Sequence, residues 1–318
     1  MAGSITLPLR AGSWHGPFDA GTQTAARAAL EAGRILLFPT LPFALSPAEH
    51  TILATPGLAT PGRAPLSTGG ARKNLSYDPA TGALGPSPLA GADREAMARL
   101  LARFGAEAEA LLRALLPTYA PALVRARASF RPAEIAGRAY RPRQDDRRLH
   151  VDAFPSRPTG GARILRLFCN IADDGAPRHW RVGEPFADFA TAFLPRLRGP
   201  LPGHSWLLAR LRLTHGTRSP YDWLMLGLHD TAKLDTAWQS TARATELSFP
   251  PATTWCCFTD MVLHAALSGH AALEQTFHLP VAAMAEPERA PLRVLERLTG
   301  RTLELRSAAG RRKKVVLS

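Results

Sequence analysis

The chain has 318 residues, 46% of them hydrophobic, which is enough apolar material to bury a sizeable core in one large or two ordinary domains without disulfide staples. A formal net charge of +13 and a pI near 10.8 imply an anionic partner more readily than a neutral one, although an Arg- and Ala-rich composition set by a GC-rich genome accounts for the charge equally well. Nucleic acid is not expected, because the chain has no zinc-finger spacing, no RNP-type aromatic motif and no basic recognition helix.

The first residues, Met1 to Arg10, lack the basic start and apolar run of a secretory signal, and no later window approaches the roughly 20 apolar residues of a membrane span. The expectation is a cytoplasmic protein, soluble or peripheral to a membrane. Thr24 to Ala32 reads as a helix stopped by Gly33, and it feeds the buried strand Ile35, Leu36, Leu37, Phe38 before Pro39. Leu45 to Pro88 is Gly- and Pro-rich and reads as a long loop containing the polar run Arg72, Lys73, Asn74. Asp93 is the expected cap of an amphipathic helix whose apolar positions run from Met97 through Phe104 and Leu111 to Leu115.

From Phe130 onward the chain changes to short strand-like runs, Ala162 to Ile171, Thr253 to Thr259 and Ala272 to Pro280, each bounded by Gly or Pro. Two helical patches lie between them. One is opened by Pro185 with Phe186, Phe189 and Phe193 inward, and the other surrounds Trp223 to Leu228. The cysteines are Cys169, Cys256 and Cys257; the last two are chain neighbours, poor geometry for a disulfide framework, so reduced thiols in a reducing compartment are expected. Arg311, Arg312, Lys313 and Lys314 form a basic tail that ends in Val315, Val316 and Leu317.

His150-Val151-Asp152 places an imidazole and a carboxylate two residues apart at the edge of a strand-like region, where i and i+2 share a face and can reach one metal ion. Fe(II) in oxygenases is held by two histidines and one carboxylate on one triangular face, leaving three positions open. His264, set between the apolar strand Thr254 to Thr259 and the strand Leu273 to Leu279, is the expected distal ligand. That placement suits a jelly-roll barrel, which brings such segments together around a metal. His229, His270 and His278 are rival candidates read as hydrogen-bonded or surface histidines, and no cysteine pair has structural zinc spacing.

Longer motifs surround these ligands. Asp145-Asp146-Arg147-Arg148-Leu149-His150-Val151-Asp152-Ala153-Phe154-Pro155-Ser156-Arg157-Pro158 is followed by Leu165 to Ile171 and by Trp180-Arg181-Val182-Gly183-Glu184-Pro185-Phe186. With Lys73 to Asp78, Phe258-Thr259-Asp260, His264-Ala265-Ala266, Ser268-Gly269 and Leu273 to Phe277, this stretch resembles the Kdo hydroxylases over most of Lys73 to Pro280. The resemblance implies an α+β protein with a double-stranded β-helix (jelly-roll, cupin-like) core and flanking helices, using Fe(II) and 2-oxoglutarate. It also implies hydroxylation of 3-deoxy-D-manno-octulosonic acid (Kdo) at C3 to give Ko, on a lipid A precursor at the cytoplasmic face of the inner membrane. One catalytic domain over residues 1–318 is expected, with support in 1–135, the core in 136–282 and a basic segment in 283–318.

Many oxygenases place a basic residue on the strand after the distal histidine to clamp the far carboxylate of 2-oxoglutarate, but Leu273-Glu274-Gln275-Thr276-Phe277-His278 offers none. Alternation in Ile164 to Ile171 puts Arg166 and Asn170 on one face and Leu165, Leu167, Cys169 and Ile171 on the other. Arg166 is therefore the expected anchor, with Asn170 beside it and Arg163 as the second choice, because a guanidinium matches a carboxylate bidentately. Arg131, Arg138, Arg157 and Arg181 are candidates to face the anionic sugar and its phosphates. Three other readings stay open: a related Fe(II) oxygenase of another anionic metabolite, a cupin-like protein that binds a metal without turnover, and, despite the missing motifs, a basic nucleic-acid binder.

Overall fold

The computed structural model describes residues 4–55, 58, 74–137, 140–197 and 217–304. Asp19 opens helix α1 (Ala20–Glu31), its Oδ1 accepting from the Thr22 backbone N–H at 2.8 Å. The helix closes at Ala32 and Gly33, whose φ of +77° suits glycine, and the chain runs straight into β2 (Ile35–Phe38), which pairs in parallel with β1 (Thr6–Pro8). The expected loop from Leu45 to Pro88 is corrected. It contains α2 (Pro47–Leu53), held by a reciprocal capping box between Ser46 and Glu49, and the strands β3 (Leu75–Asp78) and β4 (Ala83–Leu84).

Helix α3 (Gly91–Leu115) starts two residues before Asp93 and follows Ala90, an N-cap without a side-chain hydrogen bond, so Asp93 serves only as an acidic residue of the first turn. Its buried stripe includes Met97, Leu100, Leu101, Phe104, Leu111, Leu112 and Leu115. Each such side chain, fully buried, contributes about 1.5–3 kcal/mol. The stripe lies on the outer face of an eight-stranded sheet ordered β1-β2-β9-β6-β11-β5-β3-β4, where β5 is Val124–Arg131, β6 is Arg163–Asn170, β9 is Thr254–Phe258 and β11 is Ala272–Leu279. Residues 1–135 and 136–282 are thus interleaved in one sheet, since β11 pairs with β5 on one side and β6 on the other.

A three-stranded sheet ordered β10-β7-β8 joins β7 (Arg178–Val182), β8 (Thr245–Phe249) and β10 (His264–Ser268). Strand alternation sorts the side chains into two cores. Leu165, Leu167, Cys169, Cys256, Phe258, Leu273 and Phe277 face the helices. Phe168, Trp180, Phe249 and Trp255 pack together on the opposite side, with the Phe249 and Trp255 rings stacked at 4.1 Å. The cysteines are free and buried. Helix α4 (Phe186–Phe193) buries Phe186, Phe189 and Phe193 as expected, and α5 (Pro220–Leu234), α6 (Thr236–Thr241) and α7 (Pro291–Thr299) complete the described helices. No helix among the described residues is long and apolar enough to cross a membrane. The basic tail at 311–314 lies outside the described residues.

Candidate metal centre and its cavity

His150 and His264 face each other across an antiparallel β-bridge, exchanging backbone hydrogen bonds of 3.0 and 2.9 Å. His264 opens β10, whose His-Ala-Ala-Leu-Ser carries little of the β-branched or aromatic character that marks a strand in sequence. Asp152 follows in chain that belongs to no strand, so the expected strand pair is reduced to the bridge at His150, and its N–H is pinned to the Thr259 carbonyl at 2.8 Å. The three side chains are buried, and each offers one ligand atom such that all lie within 4.8 Å of one another.

Backbone carbonyls orient both rings. His150 Nδ1 lies 2.7 Å from the Arg148 carbonyl and His264 Nδ1 2.8 Å from the Val262 carbonyl, so each Nδ1 donates and each Nε2 keeps its lone pair for the centre. Burial lowers both imidazole pKa values, with Lys233 and the neighbouring rings adding to the shift at His150, which keeps the ligands neutral. Burial pushes the Asp152 carboxyl up, but the Arg166 guanidinium, the two ligand imidazoles and the Thr259 side chain together outweigh it and hold the group below the ordinary carboxylate range. Arg166 Nη1 sits 2.8 Å from Asp152 Oδ2, while Oδ1 lies 3.8 Å from His150 Nε2 and is the oxygen turned to the centre. Trp180 stacks on His264 with centroids 5.1 Å apart.

The cavity around these residues has a volume of about 300 Å³ and is walled by five cationic side chains, Arg131, Arg143, Arg166, Arg178 and Lys233. Buried Glu274 lies between two of them, at 2.6 Å from Arg131 Nε and 2.6 Å from Arg166 Nη2. Arg131 and Lys233 also reach Asp146 at 3.4 and 3.5 Å. Arg178 differs. It is 3% exposed, its Nε has no hydrogen-bond partner among the described residues, its Nη1 reaches the Gly269 carbonyl at 3.4 Å, and burial together with Arg131 pulls its pKa down to about 10.

Two expected cosubstrate contacts are corrected. Arg163 lies on the helix-facing side of β6, wholly buried, with its fork on Asp260 at 2.7 and 3.1 Å and its plane over Phe258. Asn170 shares the inner face with Arg166 but is used as a loop clamp, donating to the Ala176 and Phe249 carbonyls and accepting from the Ala172 N–H. Neither lines the cavity. Arg166 does, with its two terminal nitrogens on Asp152 and Glu274.

Of the arginines expected to face the sugar, Arg131 lines the cavity, Arg157 pairs with Asp78 at 3.5 Å, Arg181 points out of the inner face toward the Ala242 carbonyl, and Arg138 lies outside the described residues. The signal for Arg178 was present in Arg178-His179-Trp180-Arg181-Val182, where alternation puts Arg178 and not Arg181 on the face of Trp180 and Val182. His229 also lines the cavity, its ring edge-on to His150 at 5.3 Å, whereas His270 pairs with Asp174 and Glu134 elsewhere, and His278 is absent from the cavity wall.

A family model for 3-deoxy-D-manno-oct-2-ulosonic acid (Kdo) hydroxylase matches residues 13–302. Among solved structures, the chain is similar to the Kdo hydroxylase KdoO, a non-haem Fe(II) α-ketoglutarate-dependent dioxygenase. Its complex with α-ketoglutarate and Fe(III) is 42% identical with a TM-score of 0.87, covering 94% of this chain and 97% of that one. The complex with cobalt(II) is 42% identical with a TM-score of 0.89, covering 96% and 99%. The complex with succinate and Fe(III) gives 42% and 0.88 over the same shares of the two chains. No match was found among curated proteins.

Proposed function

This chain belongs to the Kdo hydroxylase family, and on that premise we propose that it hydroxylates Kdo as an Fe(II)- and 2-oxoglutarate-dependent dioxygenase whose iron is held by His150, Asp152 and His264. The observation that carries this reading is the convergence of two Nε2 lone pairs and one carboxylate oxygen in a buried cavity, a donor set suited to Fe(II) with positions left open. Iron, 2-oxoglutarate and dioxygen together supply the oxidising power that replaces a C–H bond by C–OH, with succinate and carbon dioxide as coproducts. The protein binds, orients and excludes water.

Arg178 is our assignment for the far carboxylate of 2-oxoglutarate, in place of the expected Arg166. A buried guanidinium with an unpartnered Nε gains a counter-ion there, whereas Arg166 already serves Asp152 and Glu274. Arg131, Arg143 and Lys233 remain to face the anionic sugar.

Family membership further supports hydroxylation at C3, giving Ko, on Kdo joined to a lipid A precursor. We read the facing sheets as a double-stranded β-helix and residues 1–318 as one catalytic unit, supported by the interleaving of early and late strands in the larger sheet. Peripheral attachment to an anionic inner-membrane surface from the cytoplasm is favoured by the net charge of +13. The test is anaerobic loading with Fe(II), then addition of 2-oxoglutarate, oxygen and a Kdo-terminated lipid A precursor. Succinate should form together with a product heavier by one oxygen, and His264→Ala should abolish both while the circular dichroism spectrum is kept. Succinate without oxygenated sugar, or full activity of His264→Ala, would overturn the reading.

A further inference from the structure

Helix α5 separates two cavities. Its His229 and Lys233, one turn apart, face the metal cavity, whereas Trp223, Leu224, Gly227, Asp230 and Leu234 face a second groove of about 680 Å³ between α5, the turn at Leu194 to Leu197 and the end of α7. Arg143 lines both, reaching across to Asp230 at 3.3 Å, so the two cavities are neighbours on either side of one arginine.

The groove has the character of an amphiphile site. Three large apolar side chains are conspicuously exposed among the described residues, and two of them, Leu234 at 46% and Leu298 at 43%, line it together with Leu197 and Trp223. Its floor is close-set, since a Cβ on Gly227 would lie 3.1 Å from the Leu197 side chain. Around the rim stand Arg143, Arg196 and Arg301. Asp230 and Asp235 balance the first two, and Arg301 has no ion pair among the described residues.

We propose that this groove is a second substrate site, which takes the apolar and anionic remainder of the glycolipid while its sugar lies in the metal cavity. The proposal rests on the functional reading above. Two observations favour that occupant. The groove adjoins the metal cavity at Arg143, which lines both, and the exposed Leu234 and Leu298 beside Arg301, the rim arginine without an ion pair among the described residues, match a phosphorylated, acylated molecule better than a free sugar or a bare acyl chain.

The test uses full-length protein titrated calorimetrically with decyl phosphate, decyl maltoside or inorganic phosphate, each below any micelle-forming concentration. Decyl phosphate should bind more tightly than either control. Leu234→Asp with Leu298→Asp, both at exposed positions, should weaken it at least tenfold, and Arg301→Glu should weaken decyl phosphate while leaving decyl maltoside unchanged. In turnover, the double variant should raise KM for lipid-linked Kdo at least tenfold with cobalt(II) affinity and KM for 2-oxoglutarate unaltered. Equal binding of decyl phosphate to parent and double variant, or an unchanged KM, overturns the proposal. So does a change in sedimentation behaviour of the double variant without loss of decyl phosphate binding, which would make the groove a contact between copies of the chain. Decyl phosphate binding by a parent that turns over no lipid-linked Kdo would sink the functional reading and leave the groove standing as an amphiphile site.

Discussion

Arg166 holds Asp152 by a 2.8 Å hydrogen bond to Oδ2, which leaves Oδ1 as the oxygen offered to the centre. Arg166 is itself fixed by Glu274 at 2.6 Å, and Glu274 by Arg131, so the orientation of one metal ligand is set by a relay of three side chains behind it.

Arg166→Ala should therefore loosen the metal and not the cosubstrate. Loss of such an orienting partner weakens metal affinity by about 10- to 100-fold. Cobalt(II) titration of the variant measures this, with the KM for 2-oxoglutarate at saturating metal staying near the parental value. A variant with parental metal affinity and a raised 2-oxoglutarate requirement would return Arg166 to the role of anchor.

Arg178→Met should abolish binding of 2-oxoglutarate while holding or raising the melting temperature of the apoprotein. A buried cation with an unpartnered Nε costs free energy that an apolar side chain of similar length does not. Thermal unfolding with and without 2-oxoglutarate separates the effects: the parent gains stability from the ligand, and the variant does not. A variant that melts far below the parent and still responds to 2-oxoglutarate contradicts the assignment.

Below pH 6.5 the apoprotein should lose stability steadily. His150 and His264 are held neutral in the fold by burial, first of all, while the same side chains in the unfolded chain take up protons as pH falls through 6.5. The unfolded state then binds more protons, and each histidine removes about 1.4 kcal/mol per pH unit once its unfolded form is fully charged. Above pH 6.5 the contribution is flat. Asp152 acts lower, since its depressed pKa confers stability that is lost only as pH falls through the carboxylate range. Urea unfolding at pH 7.5, 6.5, 5.5 and 5.0 tests the slope, and a His150→Asn, His264→Asn double variant should flatten it.

Gly269→Ala should destabilise the protein by more than a surface substitution. Gly269 has a φ of +101°, and a Cβ there would lie 2.8 Å from the Arg178 Cα and 2.9 Å from the Pro177 carbonyl oxygen. Backbone strain of that kind costs about 1–3 kcal/mol before any clash is relieved. Because the collision falls on Arg178, the affinity for 2-oxoglutarate should drop as well. Parental stability and parental affinity together would show that β7 can retreat freely.

Much of the architecture was legible in the sequence, because it depends on short-range periodicity. Period-two runs marked β6, β9 and β11, the apolar stripe from Met97 to Leu115 marked α3, and alternation in β6 separated Arg166 from Leu165 and Leu167. The spacing of His150 and Asp152, with one more histidine between two apolar segments, named the three residues that the fold brings within 4.8 Å. Ser46 and Glu49 also announced α2, but the Gly- and Pro-rich surroundings hid the capping box.

Only the tertiary structure decided the electrostatics. Which cavity arginine lacks a counter-ion among the described residues depends on carboxylates delivered from elsewhere in the fold: Glu274 of β11 occupies Arg131 of β5 and Arg166 of β6, while Asp260 occupies Arg163. No local pattern records those pairings, since each joins residues from distant parts of the chain. The same holds for α5, whose sequence shows a helix but not that two of its residues face the metal cavity and its other side walls a groove. Periodicity determines which side of an element is buried, and packing between elements determines what that side meets.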